Sequence, residues 1–203
     1  MLNFTKMQGA ANDFIVVDAR NMERDWPELA LAACDRHLGI GADGLLLLVS
    51  PNKADFGMRI FDADGLEAET CGNGIRCLAR YALEKGLISP DAEEITIETV
   101  ATVNRVTFDR EGGKVTGFRA NMGKPRFAAE IIPVNIKSGE GGVVDINNML
   151  NYKVKVDDAD LTLNLISMGN PHAVHFCRGP VADFSLNVIG PLVERLDVFP
   201  NRI

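Results

Sequence analysis

Apolar and polar positions recur along this chain with two different periods. Short apolar runs at Leu2 to Met7, Phe14 to Ala19, Leu45 to Val49 and Gly57 to Phe61 are partly β-branched or end at Gly, Pro or Asp, which predicts strands and a strand-rich N-terminal third. Between them Pro27 suits the first position of a helix. Leu31, Cys34 and Leu38 follow at helical spacing before Gly39, so the pattern predicts a helix ending near His37 with Cys34 in the core.

From Cys71 the period becomes helical. Ile75, Leu78, Ala79, Ala82 and Leu83 fall on one face, and Gly86 just after Lys85 is a stop signal. Beyond it, Ile95 to Thr99, Val103 to Phe108, Val115 to Ala120 and Leu161 to Ile166 alternate as strands between turns such as Gly112-Gly113. The pattern MG-x-P occurs twice, at Met122 to Pro125 and Met168 to Pro171, a faint internal echo. The fold class is α/β (α+β), dominated by strands. We place the boundary between residues 1–120 and 121–203, where a turn signal precedes the Gly-rich stretch Gly139 to Gly142.

Composition narrows the function classes. The 203 residues are 46% hydrophobic and 24% charged, ordinary for a globular protein. The net charge of -7, without a Lys/Arg block, speaks against a nucleic-acid partner or an anionic membrane surface. No start resembling a signal peptide and no apolar run of about 18 residues is present, so the chain reads as cytoplasmic. In that setting Cys34, Cys71, Cys77 and Cys177 read as free thiols.

One segment combines reactive and anion-binding features. Asp64-Gly65 predicts a turn after a strand, and Glu69-Thr70-Cys71-Gly72-Asn73-Gly74 leads into the helix, placing Cys71 at a helix N-terminus. There the partial positive charge stabilises a thiolate, and unpaired amides can hold a carboxylate. Gly72 and Gly74 would let an anion approach the backbone closely. The chemistry implied is proton abstraction next to a carboxylate. The bland alternative, a plain turn with a buried cysteine, fits the same residues.

The other candidates are weaker. Cys77 sits beside Leu78-Ala79 and reads as packing, at a spacing unusual for zinc. Asn170 and His172 follow a strand-like run and would lie in a loop, where functional residues concentrate. His37 and His175 read as structural, the first at a helix end and the second as a solvent-facing strand residue.

The string Met58 to Gly65 followed by Cys71-Gly72-Asn73-Gly74-Ile75-Arg76-Cys77 resembles the first active-site signature of diaminopimelate epimerases. Lys6 to Phe14, Gly39 to Gly44, Ser167 to His172, Gly190 to Leu192 and Phe199 to Arg202 match in the same order, so the resemblance covers essentially the whole chain. It implies two pseudo-symmetric halves, each a curled sheet around a central helix, and no cofactor or metal. It also implies conversion of LL-2,6-diaminopimelate to the meso form, a step towards lysine and cell-wall precursors, by two thiols on opposite faces.

Carried over by position, Cys71 is one acid/base, Gly72 and Asn73 hold the reacting carboxylate, Asn12 and Asn170 contact the substrate, and His172 modulates the thiols. Asp62 stands where many members of that family have Asn to bind the distal end of the substrate, which puts substrate identity in question. The family's second cysteine and a final strand would lie beyond Ile203, so the second half is expected to be incomplete and the 203-residue chain unable to invert a stereocentre alone. Cys177, without a Gly-rich helix start after it, is no substitute. Family members often pair, so a homodimer is compatible with the resemblance. The alternatives are a catalytically dead truncated homologue or binding module, a racemase or isomerase of another small acid, and, more remotely, a cysteine hydrolase using Cys71 and His172.

Overall fold

The computed structural model describes residues 2–135, 143–146 and 149–203. The chain divides into two compact units, Met1–Met122 and Gly123–Ile203.

The first unit begins with a hairpin, β1 (Thr5–Gly9) and β2 (Asn12–Asp18), joined by Ala10-Ala11. Helix α1 (Trp26–Cys34) leads to β3 (Gly44–Val49), which runs parallel to β2, and β4 (Phe56–Asp62) returns beside β3. A short β5 (Glu67–Ala68) pairs with β4 before α2 (Gly72–Glu84), and β6 (Glu94–Glu98) then lies parallel to β4. β7 (Val103–Glu111) and β8 (Lys114–Ala120) complete the order β1-β2-β3-β4-β6-β7-β8, with β5 off that path.

The central strands are apolar at nearly every position because both faces of the sheet are covered. Phe14, Val16, Leu46, Leu48, Met58 and Ile60 pack with Ile75, Leu78, Ala79 and Ala82 of α2. The alternate residues Ile15, Val17, Leu45, Leu47 and Phe61 pack with Trp26, Ala30 and Cys34 of α1. Helix α2 touches β1, β2, β3, β4, β7 and β8, so the sheet curls around it. Fully burying a Leu or Ile contributes roughly 1.5–3 kcal/mol, which makes this face of α2 the anchor of the unit. Close backbone approaches flank the leucine strand: a β-carbon on Gly44 would lie 2.9 Å from the Phe61 carbonyl oxygen, and one on Gly57 2.8 Å from Val49 Cγ2.

Helix α1 ends earlier than the apolar spacing predicts. After Cys34 the Asp35 carboxylate accepts from the N–H groups of His37 and Leu38, both at 2.7 Å, and this local capping turn replaces the next helical turn. Leu38 is therefore 92% exposed rather than core, Leu31 is exposed, and His37 lies in the turn instead of at the helix end. Cys34 is buried as expected.

The second unit holds a four-stranded antiparallel sheet in the order β12-β11-β10-β9, formed by β9 (Val143–Ile146), β10 (Met149–Val156), β11 (Ala159–Ser167) and β12 (Pro171–His175). Helix α3 (Leu186–Glu194) packs Ile189 and Val193 into a core with Leu161, Leu163, Leu165 and Phe199. The Gly-rich stretch Gly139 to Gly142 lies outside the described residues. No helix among the described residues is long and apolar enough to cross a membrane.

Candidate active site

Cys71 is the N-cap residue of α2. Its backbone is extended (φ -149°, ψ 111°), and its Sγ accepts from the Gly74 N–H at 3.4 Å. The residue is half-buried. The N–H groups of Gly72 and Asn73 belong to the first turn, for which an α-helix supplies no acceptor, and they carry the positive end of the helix dipole. Gly72 and Gly74 differ in role. Gly74 is buried, and a β-carbon there would meet Leu46 Cδ1 at 3.2 Å, so it packs tightly on the sheet; Gly72 is half-buried and faces Met122 Sδ. Thr70, immediately before the cysteine, buries its hydroxyl without a hydrogen-bond partner.

The β1–β2 hairpin packs over this turn. Ala10 and Ala11 both have positive φ, 51° and 69°, the two left-handed positions of a two-residue hairpin turn that Asn and Gly occupy most easily. A β-carbon on Gly9 would lie 3.1 Å from Cys77 Sγ and 3.3 Å from the Asn73 carbonyl oxygen, so a larger residue there would push the hairpin and the helix apart by a few tenths of an ångström. Asn12 follows the turn, and its Oδ1 accepts from Asn73 Nδ2 at 2.7 Å. Asp43 Oδ2 accepts from Asn12 Nδ2 at 3.1 Å. Arg76 Nη2 donates to Asn73 Oδ1, and its Nη1 donates to the Gly72 carbonyl oxygen at 3.0 Å. Asp13 is paired with Lys6 at 2.8 Å and with Arg36 at 2.7 Å, and hydrogen bonds from Arg36 and Lys6 hold its carboxyl well below the usual carboxylate range.

Asp62 is the last residue of β4 and is exposed. Its carboxyl sits above its ordinary value because surrounding protein removes part of its hydration, and the like charge of Asp64 adds to this. Cys77 is buried in the core around α2, and desolvation pushes its thiol up to about 11, as suits a packing residue.

Asn170 and His172 belong to the second unit. His172 lies within β12, paired with Ile166, rather than in a loop; the loop is shortened to Met168 to Asn170 because Pro171 already pairs with Ser167. His172 Nε2 is 3.0 Å from Asn170 Oδ1, and burial lowers the imidazole pKa. The neutral ring then donates from Nε2 and keeps Nδ1 as an acceptor. His175 is not solvent-facing: it is half-buried, its Nδ1 lies 3.2 Å from the Thr162 carbonyl oxygen, and its ring lies 5.5 Å from that of Phe184. The strand alternation is inverted there, with Val174 and Phe176 exposed.

Thus Asn12, Cys71, Gly72 and Asn73 come together at one end of α2. Sequence reasoning missed Asp43 and Arg76 as partners of that group; the short spacing of Arg76 from Gly72 and Asn73 on a helix was the available signal for the second.

The family model for diaminopimelate epimerase matches residues 4–128. The chain is 40% identical to the diaminopimelate epimerase of Halothermothrix orenii and 41% identical to that of Moorella thermoacetica, in both cases over 99% of this chain and 69% of the relative. The Methanococcus maripaludis (strain DSM 14266) enzyme of the same name is 39% identical, again over 69% of its length. Among solved structures, a probable proline racemase from Agrobacterium radiobacter superposes with a TM-score of 0.65 at 16% identity, over 96% of this chain and 55% of that one. A hydroxyproline epimerase from Agrobacterium vitis gives 0.62 at 14% identity, over 95% and 54%. The chain thus spans about half the length of these two structures, and the likeness to them is one of fold.

Proposed function

The chain belongs to the diaminopimelate epimerase family, and from that premise we propose that Cys71 exchanges the α-proton of an amino acid in the cofactor-free conversion of LL-2,6-diaminopimelate to its meso form. The observation that carries this reading is the position of Cys71: its Sγ caps α2 beside the first-turn amides of Gly72 and Asn73. In the proposed step the thiolate takes the α-proton, the Cα–H electron pair delocalises into the carboxylate, and the amides of Gly72 and Asn73 stabilise the charge that develops there. Inversion then requires a proton delivered from the opposite face by a second acid, which becomes a thiolate in turn.

Asn12 supplies a side-chain contact to the amino-acid end, as the resemblance implies. To Asn170 and His172 we extend the roles the resemblance implies, as a substrate contact and a modulating imidazole. Solvent-exchangeable chemistry of this kind is tested by incubating diaminopimelate in deuterated water with the protein and following deuterium at Cα together with the stereoisomer ratio. Exchange that survives in Cys71→Ser would sink the assignment.

Asp62 favours a second reading, an epimerase or racemase of another small amino acid. A carboxyl group at the end of β4 is poorly suited to a substrate whose distal end carries a carboxylate of its own. The same exchange assay run across small amino acids decides between the two substrates by their relative kcat/KM.

A further inference from the structure

Two carboxamides at the end of α2 link a group that can only accept hydrogen bonds to a group that can only donate them. At one end is the Asp43 carboxylate, whose Oδ2 accepts from Asn12 Nδ2 at 3.1 Å and from the Asp13 N–H at 3.0 Å. At the other is the Arg76 guanidinium, which donates to Asn73 Oδ1. Between them Asn73 Nδ2 donates to Asn12 Oδ1 at 2.7 Å. Reversing either amide would set oxygen against oxygen or NH2 against NH2, so the two charged ends allow one orientation of each. Asp43 is itself held through its own N–H, which donates to the Asp13 carbonyl oxygen at 2.9 Å, while Arg36 Nη2 pairs at 2.7 Å with its other oxygen, Oδ1, which takes no part in the chain.

We propose that Asp43 is a positioning residue for the amino-acid site at the N-terminus of α2, fixing the orientation of Asn12 and Asn73 through this directed chain of hydrogen bonds. The proposal rests on the reading of that site given above. Asn12 Nδ2 carries two hydrogens. Asp43 takes one and thereby aims the other as a donor for a substrate oxygen, whereas a reversed Asn12 would present a lone pair to an anionic substrate and repel it.

The test is steady-state α-proton exchange of diaminopimelate in deuterated water by the protein carrying Asp43→Asn, with Arg36→Gln as the companion variant. Asn keeps the volume of Asp but can donate or accept, so the fixed end of the chain is lost. KM should rise about tenfold, the cost of one weakened charge-assisted hydrogen bond, with kcat changed less. Arg36→Gln loosens the ion pairs around Asp13 and Asp43 but leaves the chain intact. It should lower Tm with KM within about twofold of wild type, a change too small to represent a lost bond of this kind. Equal KM effects in the two variants would make Asp43 merely structural and overturn the proposal, as would an unchanged KM in Asp43→Asn. Failure of the underlying functional reading shows separately, as the absence of α-proton exchange by the wild-type protein, and removes the proposal with it.

Discussion

The Gly74 amide donates to Cys71 Sγ across 3.4 Å, so the reactive thiol is also the cap of the helix that follows it. The two roles come apart by substitution. Cys71→Ser retains an acceptor at the N-cap and should match wild-type stability, whereas Cys71→Ala should lose about 1 kcal/mol. Both should abolish α-proton exchange. Urea denaturation of the two variants checks this, and equal midpoints would show that the thiol does not cap.

Thiol reactivity should divide the four cysteines by burial. Cys34 and Cys77 are buried while Cys71 and Cys177 are half-buried. With Cys77 at about 11, roughly one molecule in a thousand carries its thiolate at pH 8. Iodoacetamide at pH 8 should therefore label Cys71 and Cys177 in the folded protein and reach Cys34 and Cys77 only after denaturation, as read by peptide mass spectrometry. The folded state holds the Cys77 proton more tightly than the unfolded state, whose value is near 9.0. Its contribution to stability is thus complete below pH 9 and lost as pH rises through about 11.

His172 shifts in the opposite sense. Burial lowers its pKa below the ordinary 6.5, so the unfolded chain binds the proton more readily than the folded one. The neutral ring contributes stability above pH 6.5, and that contribution declines as pH falls below it. An NMR titration of the His172 ring should give a midpoint below 6.5; a midpoint at or above it contradicts the burial argument.

The hairpin that carries Asn12 holds two alanines at positive φ, each in a conformation costing an L-residue roughly 1–2 kcal/mol. Ala10→Asn combined with Ala11→Gly supplies the residues this turn prefers and should stabilise the protein by about 1 kcal/mol after the added freedom of glycine in the unfolded chain is counted. The urea midpoint should rise with an unchanged slope. No rise would mean that the strain is relieved elsewhere.

The helix bearing Cys71 was legible because its signals are local: a helical apolar period, a glycine stop, and a cysteine followed by Gly-Asn-Gly. Gly86 indeed takes positive φ (68°), as a stop residue does. The end of α1 was misread because Asp35 competes for the backbone within two residues, which apolar spacing does not register. β10 was passed over although Lys153 to Val156 alternates in period 2, and α3 was hidden by Gly190-Pro191 inside it. Asp43 and Asn73 lie 31 and 61 residues from the Asn12 they bond, and no pattern along the chain encodes such a meeting.

The leucine strand Leu45 to Leu48 carries a further consequence. Its four consecutive identical side chains, all buried, present the same apolar surface to both helices, so sliding the strand by one residue would barely change which atoms meet. Alignment information must then come from places where side chains are missing. Gly44 admits the Phe61 carbonyl oxygen and Gly57 admits Val49, so a one-step slip would drive a leucine or phenylalanine side chain into backbone. The two glycines act as index marks on an otherwise unmarked ruler, and because β4 leads to Cys71 through β5, which pairs back onto it, their fidelity sets where the thiol arrives.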